Sequence, residues 1–437
     1  MIERILQMAC RSAEAAEVIL CESETRSAEF EGNRLKCITA NSVRGVGLRV
    51  IRDGRLGFSS TTDLSRPELL VANALESAGY GRVAKFSFPA SVAPAPVKVF
   101  DDRAANFAIE EGVRRTADAI DKVLSAFPRA NCEGRVSRLI GRERIINSAG
   151  LDVEFDHTSF ECDLASLLVR DGSLLWAGDS DSSCALLDVW QQHAEKIIAD
   201  TRAAEKEIVP ASGTYRVIFT PNAIDSLLTS FEQGVDGKLV QKQISPLTDK
   251  LGRQIVDNRI TLTDDGTIDY AMGSCPIDDE GLAVRKNVLI ENGVLKRFLF
   301  DLQTAGMMDA EPTASGMRSF ASQPSPSITN LVIESGDTPF ERMLAETRRG
   351  LLVDELLGAG QSNTLAGEFS ANVNLGYLIA DGEIVGRVKD TMLAGNIFEA
   401  FNNIAAIGDR QLLKGSLLAP HLCLDALDVS SGEAAAT

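Results

Sequence analysis

The stretch Val288-Leu289-Ile290-Glu291-Asn292-Gly293-Val294-Leu295-Lys296 sets apolar runs on either side of an Asn-Gly pair. Asn and Gly tolerate the positive φ that both central positions of a two-residue turn require, so the segment reads as a β-hairpin. Asp381-Gly382 repeats the signal further on, and Asp53-Gly54 does so between Val46 and Phe58. From Tyr215 onward the pattern is rich in strands, with one helix predicted over Pro221 to Phe231 and short helices near 300–309, 338–349 and 395–406. That mixture predicts an α+β domain over 213–437, in which an antiparallel sheet curls around a few helices.

Toward the N-terminus the reading is α/β, with small mixed sheets and helices. Ile2, Leu6, Ala9 and Ala13 share one helical face, and residues 17–61 then switch to strand character. Ser65-Arg66-Pro67-Glu68 has the spacing of a capping box opening a helix that runs to Ala78. Three prolines within residues 86–97 exclude a helix interior or central strand there, so this segment is predicted as a linker between subdomains 1–85 and 98–212. In the second subdomain Ile109, Val113, Ala117, Ile120, Leu124 and Phe127 form an amphipathic helix stopped by Pro128. Strands are predicted over 136–180, with turns at Ala149-Gly150 and Asp171-Gly172, followed by a helix marked by Trp190, Ala194, Ile197 and Ile198. Ser430 to Thr437 reads as a frayed tail.

Composition narrows the function. The chain has 437 residues, 44% of them hydrophobic, which is ample for more than one core. With 44 Lys+Arg against 62 Asp+Glu, the formal charge is −18 and no basic run offsets it. Such a field repels phosphate backbones, so no direct nucleic-acid partner is expected. No apolar run approaches the ~20 residues of a membrane span and no leader pattern opens the chain, so the expected location is the cytoplasm, off the membrane. Eight cysteines without Cys-x-x-Cys spacing read as reduced thiols.

Several further segments carry a resemblance. They are Asp264-Asp265-Gly266-Thr267, Ile277-Asp278-Asp279-Glu280-Gly281, Gly358 to Gly360, Gly367-Glu368-Phe369-Ser370, Leu378 to Gly382, Ala394-Gly395-Asn396 and Ile407-Gly408-Asp409. Together with the hairpin at 288–296 they resemble the C-terminal half of the TldD/PmbA family, once called modulators of DNA gyrase and grouped as peptidase U62. The likeness is close over most of 213–430 and looser before it.

The TldD branch has a zinc-peptidase signature, His-Glu-x-x-x-His, at the start of a helix that follows a strand, and a later cysteine ligand. Laid on the strand Gly213 to Phe219, the first histidine falls on Thr220, the glutamate on Pro221 and the second histidine on Asp225. Proline can neither ligate a metal nor act as a base, and threonine is a poor zinc ligand. The glycine-rich segment that carries the cysteine in the family is shortened here to Arg410 to Gly415 and has none. The resemblance therefore points to the PmbA branch, also called TldE. It implies a non-catalytic subunit with no metal or cofactor of its own, zinc being held by a TldD-like metallopeptidase partner. It also implies unfolded or leader peptides as substrates, and a homodimer when the chain is alone.

Other constellations are weaker. His157, His193 and His421 are the only histidines, and His421 with Cys423 on the last strand supplies two ligands where zinc needs more. Asp264, Asp265, Asp278, Asp279 and Glu280 could hold a hard cation, which would make the chain an autonomous metal-dependent hydrolase. The competing reading has these carboxylates capping backbone N–H groups in turns. A third possibility is a homodimeric binding or regulatory protein acting indirectly on a gyrase-poisoning pathway. No Gly-x-Ser-x-Gly elbow is present, and Gly358-Ala359-Gly360 lacks the Gly-Lys-Ser/Thr ending of a phosphate loop.

Overall fold

The computed structural model describes residues 1–170 and 172–432. Helix α1 (Ile2–Ala9) leads into β1 (Ala15–Glu31), β2 (Arg34–Arg52) and β3 (Arg55–Thr61), then α2 (Pro67–Ala78), α3 (Asp102–Ala105) and α4 (Ile109–Ala126). The strands β4 (Asn131–Asn147), β5 (Asp152–Arg170) and β6 (Ser173–Ser183) follow, and α5 (Trp190–Ala203) closes this half. The six strands form one sheet in the order β3-β2-β1-β4-β5-β6, antiparallel throughout. The α+β class holds, but one large antiparallel sheet stands in place of the small mixed sheets read from the sequence. Strands from before and after residues 86–97 pair directly, as Val18 does with Ile146. Local alternation cannot reveal a pairing over that distance.

The sheet is covered on both faces, each by a different part of the chain. Val18, Leu20, Val46, Leu48 and Val50 pack under α1 and α2, while Phe160, Cys162, Leu164 and Ala177 pack under α4 and α5. The opposite face takes the C-terminal half, where Ile19 and Ile145 meet Ile277. Gly45 and Gly47 allow this docking. A Cβ at Gly45 would lie 2.3 Å from the Phe320 ring, and one at Gly47 would lie 2.4 Å from the Phe320 carbonyl oxygen. Residues 86–97 form neither helix nor strand, yet Phe86 and Phe88 lie 5.5 and 5.3 Å from the Arg49 guanidinium.

The second half is built on a larger, mostly antiparallel sheet. At its centre Leu417–Ser431 runs antiparallel to Gly213–Phe219, which pairs in parallel with Arg349–Leu357, itself antiparallel to Glu368–Ala380. Its core gathers Phe219, Phe231, Leu289, Leu351, Phe401 and Leu422. The three Asx-Gly hairpins form as read, both residues of each pair having positive φ: Asp53 and Gly54, Asn292 and Gly293, Asp381 and Gly382.

Three local readings change. The helix predicted over 221–231 is two helices, α6 (Pro221–Asp225) and α7 (Thr229–Val235), joined by a turn. Ile224, Leu227, Leu228 and Phe231 remain buried across the break, so apolar periodicity alone cannot detect it. The capping box is not made: α2 starts after Arg66, and the Asp63 carboxylate takes the Ser65 N–H and hydroxyl, at 3.0 and 2.6 Å. Pro67 at the first helical position has no N–H to cap. Ser430 and Ser431 belong to the last strand. Residues 433–437 of the predicted tail, and Asp171 of the predicted Asp171-Gly172 turn, lie outside the described residues. No helix among the described residues is long and apolar enough to cross a membrane, and all eight cysteines are free.

Candidate functional site

The strand Gly213–Phe219 delivers the chain to Thr220, whose extended backbone precedes α6. Thr220 does not cap the helix with its side chain; its hydroxyl makes a long 3.5 Å hydrogen bond to the Asp354 carbonyl. Pro221 is buried in the first turn, where its missing N–H costs nothing. Asp225 ends α6 at the rim of a cleft, reached by solvent yet crowded enough that desolvation raises its carboxyl pKa. The donor set at 220, 221 and 225 therefore does not fit zinc, because only one of the three is a good ligand.

The cleft has a volume of about 610 Å³. One wall is β5 and β6, and the other comes from α6, the Asp354–Leu356 strand, Leu375, Lys414 and Gly415. Antiparallel pairing places Glu161, Asp163 and Ala165 opposite Ser182, Ser180 and Gly178, so these side chains share the sheet face that the helices leave open. Asp163 is pushed up to about 6, chiefly by burial.

Beside the cleft the structure assembles a group that the sequence reading missed. Lys414 donates to Asp179 Oδ1 at 2.9 Å and to Asp181 Oδ1 at 3.0 Å, and His193 Nε2 lies 2.9 Å from Asp181 Oδ2. Asp179, Asp181 and His193 are the one set of three ligand types among the described residues close enough to share an ion. The Lys414 ammonium already supplies the positive charge there. Burial works against that charge, but the two carboxylates outweigh it and hold Lys414 above the ordinary lysine range. The alternation in Asp179-Ser180-Asp181 is visible in the sequence, whereas its lysine is 233 residues away.

The five acidic residues of the proposed carboxylate site turn onto separate protein donors. Asp264 accepts from the Thr329 N–H and hydroxyl at 2.7 and 2.6 Å, and Asp265 accepts from the Thr267 N–H and hydroxyl at 2.9 and 2.6 Å. Asp278 accepts the N–H groups of Glu280, Leu282 and Gly316, and Asp279 accepts that of Arg318. Glu280 binds Arg49 at 2.7 Å and the Leu302 N–H at 2.6 Å. His157 packs across Gly141, and the His421 ring lies 4.8 Å from that of Phe340, tilted by 38°. Burial holds both imidazoles below their usual pKa and pushes the Cys423 thiol up to about 12.

This burial has a pH consequence. Desolvation raises Asp264 to about 6, as it does Asp163, and moves Glu143, Asp278, Asp279 and Glu280 in the same direction. In the unfolded chain such groups titrate near ~4, so between about pH 4 and 6 the folded state holds the extra protons. Stability from these groups is complete below that window and is lost as pH rises through it. His157 and His421, held below their usual pKa, act in the opposite sense, but two imidazoles face six carboxylates, so scanning calorimetry should give a higher unfolding temperature at pH 5.5 than at pH 7.5; an equal or lower value would contradict the assignment.

Comparison with known proteins places this geometry. The model of the PmbA/TldA metallopeptidase C-terminal domain matches residues 212–431, and that of PmbA/TldA metallopeptidase domain 1 matches residues 16–78. An uncharacterised protein of Methanocaldococcus jannaschii is 27% identical, over 96% of this chain and 98% of its own length. The metalloprotease PmbA of Escherichia coli O157:H7 is 24% identical, over 96% and 94%. A metalloprotease TldD homolog of Buchnera aphidicola is 33% identical, but over only 53% of this chain and 47% of its own length. The crystal structure of TldE from Thermococcus kodakarensis superposes with a TM-score of 0.90 at 24% identity, covering 98% of this chain and all of that one. At that identity the likeness establishes the fold.

Proposed function

We propose that this chain, which belongs to the PmbA/TldD metallopeptidase family, is the subunit without zinc chemistry in a two-component peptidase. The observation that carries the reading is Pro221, buried in the first turn of α6 where the family pattern has its glutamate. A prolyl side chain cannot move a proton or bind a metal. The metal and the base then come from a TldD-like partner, and this chain contributes assembly and a wall of the peptide-binding chamber. The cleft beside α6 suits an extended segment of an unfolded or leader peptide, since its volume lies within the ~300–1,000 Å³ usual for ligand sites.

The test is reconstitution. The purified chain should hold no stoichiometric zinc and cleave no peptide alone, and activity should appear when the TldD-like chain is added. Thr220→Ala or Asp225→Ala should leave that activity within a few fold, because loss of a true general base costs ~10²–10⁴. A loss of that size in an assembled complex, or one zinc per isolated chain, would overturn the reading.

A further inference from the structure

The cleft has a composition that selects among peptides. Seven carboxylates line it, and Lys414, the one cationic side chain in its wall, is already paired with Asp179 and Asp181. Asp354 is held by Lys196 at 2.7 Å, and Glu355 accepts from the Asn374 amide. Glu161, Asp163 and Asp225 make no side-chain hydrogen bond or ion pair among the described residues. Arg135 stands opposite Asp163 on β4 and draws on its charge without forming an ion pair with it among the described residues, so the seven carboxylates leave the cleft with an excess of negative charge.

The same wall holds an aromatic surface. Trp176 is half-buried, one residue pair along the strands from Ala165 and Gly178 on the face that bears Glu161 and Asp163. Its indole lies across Gly178, where a Cβ would approach within 2.6 Å of the ring, so the absent side chain makes the room. An indole face beside free carboxylates is the combination that recognises a planar organic cation.

From this juxtaposition we infer that the cleft binds an arginine side chain of an extended peptide, with Trp176 under the guanidinium and Asp163 and Asp225 as its counter-charges. The inference rests on the peptide-chamber reading above, but it is measured on the isolated chain, where no catalysis is needed. A missing partner or an inactive complex would therefore leave the binding result intact.

The experiment titrates the full chain with an acetylated, amidated pentapeptide carrying one central arginine, and with the same peptide carrying citrulline, which keeps the shape and removes the charge. Calorimetry gives the affinity. Fluorescence reports the contact, since Trp176 and the fully buried Trp190 are the only tryptophans. The arginine peptide should bind at least about tenfold more tightly than the citrulline peptide, and its fluorescence change should vanish in Trp176→Phe. Asp163→Asn and Asp225→Asn should each weaken it several fold while leaving the circular dichroism spectrum unchanged. Equal affinity for the two peptides, or binding that survives all three substitutions, would overturn the inference. Spermidine or magnesium saturating the cleft as tightly as the peptide would also overturn it, by showing a site for small cations.

Discussion

Arg49→Ala should cost about 3–5 kcal/mol of folding stability, because it removes the centre of a buried ionic network and leaves Glu280 buried without a cationic partner, with Arg318 alone on Glu17. Arg49 is 3% exposed, Glu17 is fully buried and Glu280 is 1% exposed. The guanidinium donates from Nε to Glu17 at 3.0 Å and from Nη1 to Glu280 at 2.7 Å, and Arg318 reaches the same Glu17 oxygen at 2.5 Å. β1 and β2 thereby grip loops of the C-terminal half. Glu280, weighed above as a metal ligand, is thus a latch between the two halves of the chain. Urea denaturation checks the size of the effect, and a loss below about 1 kcal/mol would refute the account. The double variant Arg49→Met with Glu280→Gln should recover part of the loss, since it neutralises the carboxylate that Arg49 leaves stranded while Arg318 still holds Glu17.

Trp190→Ala is expected to cost a similar amount, about 3–5 kcal/mol, for a different reason. The side chain is 1% exposed, stacked 6.1 Å from Phe107 and edge-on 6.0 Å from Phe160, and its indole N–H donates to Thr116 at 2.9 Å. Alanine would leave a cavity under α4 and α5 and strand the Thr116 hydroxyl. Trp190→Phe keeps most of the apolar volume, so it should lose only about 1–3 kcal/mol, the cost of the unmet hydroxyl. Because α5 also positions His193 against Asp181, the alanine variant should loosen the edge of the cleft, measurable as faster amide exchange over β6. Unchanged exchange there would separate the two regions.

What was legible in the sequence follows from short-range physics. Asn292-Gly293 and Asp381-Gly382 name their own turns, because few residue pairs accept two consecutive positive φ values. The 3.6-residue period from Ile109 to Phe127 marks α4 almost to its end, since Pro128 cannot continue it. That Thr220 and Pro221 carry side chains poorly suited to zinc was also readable, because it depends only on which atoms those side chains carry. The break inside 221–235 was not, because burial continues across it.

Position in space was settled only by the tertiary structure. Nothing local says that β1 pairs with β4 across more than a hundred residues, since strand register is fixed by which faces are buried once the sheet exists. The acidic run Asp278-Asp279-Glu280 reads equally well as a metal site or a capped turn. Its role depends on Arg49 and Arg318, which arrive from strand β2 and from a C-terminal loop to share Glu17 with it, 301 residues separating Glu17 from Arg318. The cleft likewise exists only where β5 and β6 face α6. By itself the sequence determined the turns, the helical faces and which side chains stand at the start of α6, all governed by neighbours along the chain. The fold decided which charges meet and which stay free, because Coulombic pairing and desolvation depend on distance through space.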